Sequence, residues 1–305
     1  MTIKLYEHQR AIFYAPFYAA HVLGAYQDAG VEVEIVTSPN PAVTANGLRD
    51  GTADVAWGGP MRVLLAFDSN PECDLVLFAE AVTRDPFFLI GRVPNPNFEQ
   101  ANLLGVKLAR VSEVPTPWLC LQEDLRRAGL DPADVTRLAD GSMAENVAEF
   151  QSGKVDVVQV YQPYAEELLR DGAHIWYAAA TRGPTSYTSL FTTRRRFEAA
   201  PESMAALTCG LYQTLQWLIA APPETVAETI SSYFPDVSHD LLTACIARYQ
   251  TLQIWNQTPV LSPAGFERLK TSCLSGGLIT RDTPYEACVD NRYAETAVTA
   301  DSKTM

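Results

Sequence analysis

Apolar positions along the first ninety residues recur first at every second place and then at every third or fourth, so the chain predicts strands alternating with helices. Ile3 to Tyr6 reads as a strand and Glu7 to Ala15 as a turn-like stretch. Pro16 stands where a helix begins and Gly30 where it stops, because proline fits a first turn and glycine a C-terminal cap. Val31, Val33 and Ile35 alternate with Glu32, Glu34 and Val36 as a second strand. A helix over Ala42 to Arg49 and strands over Asp54 to Trp57, Leu75 to Ala79 and Phe87 to Ile90 follow.

The proline- and asparagine-rich stretch Val93 to Asn97 interrupts this pattern as a crossing between two lobes would. A second series then predicts strands over Gly105 to Ala109, Val135 to Leu138, Val155 to Val160 and Ile175 to Ala178. Helices over Trp118 to Ala128, Ala144 to Gln151 and Tyr164 to Leu169 separate them. The two series echo each other. Leu48 to Val55 recurs as Phe150 to Val157, each a helix end, a glycine and an Asp-Val strand opening, with Gly51 and Gly153 102 residues apart. The helix stops at Gly30 and Gly129 lie 99 apart. Any α/β protein repeats helix–Gly–strand junctions, yet two landmarks in register favour two similar lobes. The expectation is an α/β, two-lobed chain with a mostly parallel sheet in each lobe. Residues 1–91 open lobe 1, 92–187 form lobe 2, and 188–305 return to lobe 1 through helices over Met204 to Ala220, Thr225 to Tyr233, Leu241 to Trp255 and Ala264 to Ser272. Val298 to Met305 reads as a mobile tail. Ligands of open α/β sheets lie beyond the carboxyl ends of the strands, so facing lobes define a cleft.

Composition narrows the function. A net charge of −13 disfavours nucleic acid and anionic lipid as partners, and no apolar run approaches a membrane span. No membrane insertion and a monomer are expected. The opening MTIKLYEHQR runs directly into a strand pattern and carries no export signal, which places the chain as written in the cytoplasm, and in the periplasm if a leader was trimmed. Six scattered cysteines without CxxC or metal-ligand spacing read as ordinary thiols, with a bridge between Cys273 and Cys288 left open. No metal or cofactor is expected.

The ordered elements Pro16-x-Tyr18-x-Ala20, Gly24-Ala-Tyr26, Gly30 to Val33 and Gly51 to Val55 resemble the opening of the sulfonate, taurine, nitrate and thiamine-pyrimidine branch of periplasmic binding proteins, with coverage to about residue 290. The resemblance implies a type II periplasmic-binding fold, crossovers near Phe88 to Val93 and Tyr187 to Thr192, hinge closure on a small-molecule ligand, and an ABC transporter permease as partner. The same superfamily includes the thiamine-pyrimidine synthase, in which a lysine and a histidine follow the matching strand. Gly58 and Arg62 stand in those places here, and Gly183 to Tyr187 replaces its cysteine-rich segment. Schiff-base chemistry with pyridoxal phosphate is therefore not expected.

Candidate ligand contacts follow from strand ends. Trp57, Gly58 and Gly59 precede a helix, so Trp57 either stacks on a planar ligand or fills the core, and the glycines expose backbone amides. His8, Gln9 and Arg10 follow the first strand, with Arg10 suited to a carboxylate or sulfonate, or else form an exposed loop. Tyr14 precedes the first helix. In lobe 2, Thr116 caps a helix or donates to ligand, Gln159 and Tyr161 stand as the counterpart of Trp57, and Tyr187 lies near the second crossover. Charges at Arg62, Arg84 and Asp85 read as solvated or paired. No nucleophile elbow or metal-ligand spacing stands out. The favoured function is a binding protein for a small planar polar or anionic solute: pyrimidine-like, aromatic carboxylate or sulfonate. The alternative is a cytoplasmic enzyme on the same fold, of a pyrimidine-pathway or decarboxylase type, and a ligand-gated sensor or adaptor is a third class.

Overall fold

The computed structural model describes residues 2–38, 41–112, 114–139 and 141–301. Among the described residues, nine strands form two sheets. β1 (Thr2–Glu7), β2 (Glu32–Thr37), β3 (Val55–Gly58), β4 (Leu75–Val82) and β9 (Thr188–Thr193) build the first in the order β2-β1-β3-β9-β4. β5 (Phe88–Gly91), β6 (Leu108–Ala109), β7 (Val157–Val160) and β8 (His174–Ala178) build the second in the order β6-β7-β5-β8. Each sheet runs in one direction except for a single reversed strand. β9 is antiparallel to β3 and β4, and β5 is antiparallel to β7 and β8. Those reversed strands are where the chain enters the second sheet and returns to the first. The connecting stretches, 83–87 and 179–187, lie side by side: Thr185 N–H donates to Thr83 O at 2.8 Å and Tyr187 N–H to Val82 O at 2.9 Å.

The echo seen in the sequence is a repeated structural unit. Gly51 and Gly153 both end a helix at positive φ, 82° and 84°, a conformation in which a Cβ would be strained. Three residues on, Asp54 and Asp156 make the same pair of bonds to a neighbouring strand. Lys4 N–H donates to Asp54 Oδ2 and Lys107 N–H to Asp156 Oδ2, both at 2.8 Å, while each aspartate N–H donates back to that lysine's carbonyl at 2.9 Å.

Three expectations need correction. Val135 to Leu138 is not a strand; only Arg137 bridges to Leu108, after a 3-10 turn at Pro132–Asp134 whose proline and Asp131 cap bend the chain. The C-terminal stretch is also more helical than read, with Arg194–Ala199, Tyr285–Cys288 and Arg292–Asp301 added. Val298 to Asp301 thus belongs to a helix, and the remainder of the expected tail lies outside the described residues. Nor do the C-terminal helices cover the first lobe alone. Pro201–Ala220 packs on Ala15–Val22, but Pro263–Ser275 packs on Thr116–Arg127 and His239–Thr251 on Tyr164–Arg170, across the cleft on both sides. All six cysteines are free, and Cys273 and Cys288 are not bridged. No described helix is long and apolar enough to cross a membrane.

Candidate ligand-binding cleft

Between the two sheets lies a narrow cleft whose open space, the solvent at its mouth included, is about 390 Å³. Its walls come from loops at strand ends and from the first residues of helices. Tyr14 is the N-cap of Ala15–Val22; Gly59, Met61 and Arg62 surround the start of Met61–Ser69; Val114, Pro115 and Thr116 lead into Thr116–Arg127. Three helix N-termini, two from lobe 1 and one from lobe 2, therefore face one space. The positive ends of their dipoles favour negative charge there. Arg62 adds the one cationic side chain among the described lining residues, which include no carboxylate. Burial pulls the Arg62 pKa down, with Tyr14 acting in the opposite direction. Phe13, Phe87 and Tyr187 supply an aromatic wall. Phe13 and Phe87 each stand about 6 Å from Tyr187, at 6.2 and 6.3 Å between ring centroids.

His8 contributes a neutral ring. Its Nδ1 lies 3.3 Å from the Trp57 carbonyl, which can only accept, so this nitrogen carries the proton and Nε2 accepts from the Tyr14 hydroxyl at 3.3 Å. Burial, helped by the nearby Arg62 charge, holds the imidazole pKa down at about 3. Burial likewise pushes the Tyr14 and Tyr187 hydroxyls above their ordinary range.

Of the residues picked from the sequence, the cavity brings together His8, Gln9, Tyr14, Gly59, Thr116 and Tyr187. The rest stand elsewhere. Arg10 folds back onto Glu7 in a two-pronged pair, Nε to Oε1 at 2.7 Å and Nη2 to Oε2 at 2.8 Å, and lies against the Tyr18 and Tyr233 rings. Trp57 is wholly buried, stacked on Phe17 at 4.6 Å and 5° between planes, so it fills the core and does not stack on a ligand. Gly58 is also off the wall; a Cβ there would touch Arg62 Cδ and Nε at 3.4 Å, an ordinary contact distance. Gln159 is buried with its Nε2 donating to Pro117 O at 3.1 Å, anchoring the first turn of Thr116–Arg127. Tyr161 packs behind Phe13 and Phe87 at 5.4 and 5.2 Å. Trp57 and Tyr161, expected as matching contacts from the two lobes, thus both stand off the cavity wall. The 102-residue repeat explains why: β3 and β7 span matching residues at that spacing, so Gln159 stands in the place of Trp57, and both are buried. Thr116 is not a cap, because Pro115 holds that place and no side chain caps the helix.

The sequence reading missed Arg62, Phe13 and Phe87 as cavity residues. One signal pointed to Arg62: a cation in the first turn of a helix opposes the dipole and needs a reason to be there. Asp85, read as solvated or paired, is bound to Arg182 at 2.9 Å.

Residues 12–225 match the family model described as NMT1/THI5 like. A relative, YtlA of Bacillus subtilis (strain 168), which carries the name of a binding protein, is 23% identical over 96% of this chain and 89% of its own length. The alkanesulfonate-binding protein SsuA from Xanthomonas axonopodis pv. citri, solved bound to MOPS, superposes with a TM-score of 0.71 at 17% identity, covering 95% of this chain and 98% of that one. A desulfurization enzyme, DSZB, superposes equally well, with a TM-score of 0.71 at 16% identity over 98% and 99%. These likenesses give the two-lobed periplasmic-binding fold, and with a family match spanning most of its length, the chain belongs to the NMT1/THI5-like family.

Proposed function

We propose that this chain is the solute-binding component of an ABC import system and that its cleft takes a small, ring-bearing organic anion such as an aromatic sulfonate or carboxylate. The observation that carries this reading is the convergence of Arg62 and three helix N-termini on a cavity that Phe13, Phe87 and Tyr187 also line. Oriented N–H donors and a guanidinium stabilise an anion, and aromatic faces accept a flat apolar body. The names of YtlA and SsuA support a binding role in the same direction. In this reading the partner is a membrane permease and the working compartment is the periplasm. A catalytic use of His8 as general base fits less well, since an imidazole with a pKa of about 3 is a weak base at neutral pH.

A thermal-stabilisation panel tests the reading. Benzenesulfonate and benzoate are expected to raise the melting temperature, whereas benzyl alcohol and benzylammonium are not. Arg62→Met should weaken the best anion by roughly 10- to 100-fold in calorimetry, the scale of removing one partner of a buried charged contact. Equal stabilisation by neutral or cationic rings, or an unchanged affinity in Arg62→Met, would contradict it.

A further inference from the structure

Five residues before Tyr187, the Arg182 guanidinium is clasped between two carboxylates behind the cavity wall. Its Nη1 donates to Asp85 Oδ2 at 2.9 Å, its Nε to both Asp124 oxygens at 2.9 Å, and its Nη2 to Asp124 Oδ2 at 2.6 Å. The side chains of Arg182, Asp85 and Asp124 are only 5%, 0% and 9% exposed. Asp124 also accepts from the Tyr177 hydroxyl at 3.2 Å, and Asp85 Oδ1 accepts from Phe87 N–H at 3.0 Å. The three charged residues belong to three segments: Asp85 to the connection into the second sheet, Arg182 to the connection back, and Asp124 to the helix Thr116–Arg127. Each segment carries a cavity residue, namely Phe87, Tyr187 and Thr116.

We propose that Arg182 is a positioning residue for the cleft, its planar fork fixing from behind the three segments that bring Phe87, Thr116 and Tyr187 to one wall. The inference rests on the binding role proposed for that cleft. A guanidinium holding two carboxylates in a buried place has few alternative arrangements, because any shift leaves a desolvated charge without its hydrogen bonds. A lysine cannot reproduce this, since an ammonium is a point charge without the fork. The groups around the cluster, Cys120, Tyr177 and Tyr187, are neutral at ordinary pH: burial pushes the Cys120 thiol up to about 12 and both tyrosines above their usual range. The charge balance of the cluster is therefore set by the arginine and the two aspartates.

Hydrogen exchange on the full chain, read by mass spectrometry, compares the wild type with Arg182→Lys and with the milder Asp124→Asn. Protection is expected to fall around Asp85 to Ile90, Val114 to Cys120 and Gly183 to Ser189, while β1, β2 and the helix Pro201–Ala220 keep theirs. Benzenesulfonate should bind at least tenfold more weakly to both variants. An unchanged exchange pattern, or a loss of protection spread evenly over both lobes, overturns the positioning role. Should Arg182→Lys not fold, Asp124→Asn decides by the same pattern. If benzenesulfonate fails to bind the wild type, the ligand reading falls, and the exchange pattern alone still decides for or against Arg182.

Discussion

Trp57 fills a large volume in the core of the first lobe, stacked on Phe17 and edge-on to Tyr18. Trp57→Ala is expected to cost about 3–5 kcal/mol in denaturant unfolding, the ordinary loss for emptying a buried aromatic site; a loss under about 1 kcal/mol would contradict its core placement. Two buried groups, His8 and Glu80, add pH dependence of opposite sign. His8 is held down at about 3, against an ordinary 6.5, so its contribution is intact above pH 6.5. Below that, the unfolded chain binds a proton that the folded chain does not, and stability is lost at ~1.4 kcal/mol per pH unit. Glu80, wholly buried, is pushed up to about 8 chiefly by desolvation. Its contribution is present below the ordinary carboxylate range near 4.5 and lost as pH rises toward 8. Urea unfolding between pH 4 and 9 should show a shallower acid limb in His8→Gln and a shallower alkaline limb in Glu80→Gln, and curves parallel to wild type would contradict both assignments. The residues of the cleft were half legible. Strand ends, helix starts and the second crossover mark where a ligand lies, which located His8, Gln9, Tyr14, Gly59, Thr116 and Tyr187. Sequence does not tell which side chain at a strand end turns inward, so Trp57 and Arg10 stand among the expected contacts, and Arg62 among the charges expected to be solvated or paired.

At the scale of elements, the helix–Gly–Asp–strand unit is the feature the sequence displayed best, because its glycine and aspartate are required by local backbone geometry. Gly51→Ala and Gly153→Ala are each expected to destabilise by about 1 kcal/mol through backbone strain alone. Neither has room-limiting neighbours: a Cβ at Gly51 meets nothing within 4 Å, and one at Gly153 meets only the end of Arg92 at 3.9 Å. Equal unfolding midpoints for the wild type and both variants would contradict the shared left-handed geometry. Long helices such as Pro201–Ala220 were legible from their periodicity. What was not legible depends on distant partners. The stretch Val135 to Leu138 has a strand's composition but finds only one bridge, and the helices Pro263–Ser275 and His239–Thr251 give no local sign that they reach over to the second lobe.

On the scale of the whole molecule, those two helices close the cleft from either side. Arg248 pairs with Glu166, and the Tyr249 hydroxyl accepts from Gln162 N–H at 3.0 Å and donates to Pro86 O at 3.3 Å. Opening the lobes must break these contacts, so a ligand held by both lobes favours the closed form. Saturating benzenesulfonate is expected to lower the radius of gyration in small-angle scattering, whereas an unchanged value would indicate a rigid pocket. The chain's net charge of −13 does not forbid an anionic solute, because charges beyond about 8 Å are largely screened at physiological salt and Arg62 with its helix N-termini lies closer than that to any occupant. The central claim is that this cavity holds the solute with its anion toward Arg62 and its ring against Phe13, Phe87 and Tyr187. A crystal structure grown with 4-bromobenzenesulfonate tests it most directly. The account predicts one anomalous bromine peak per chain on the aromatic side of the cavity, with the sulfonate at the helix N-termini; a bromine bound only outside the cleft, or a sulfonate turned away from Arg62, would contradict it.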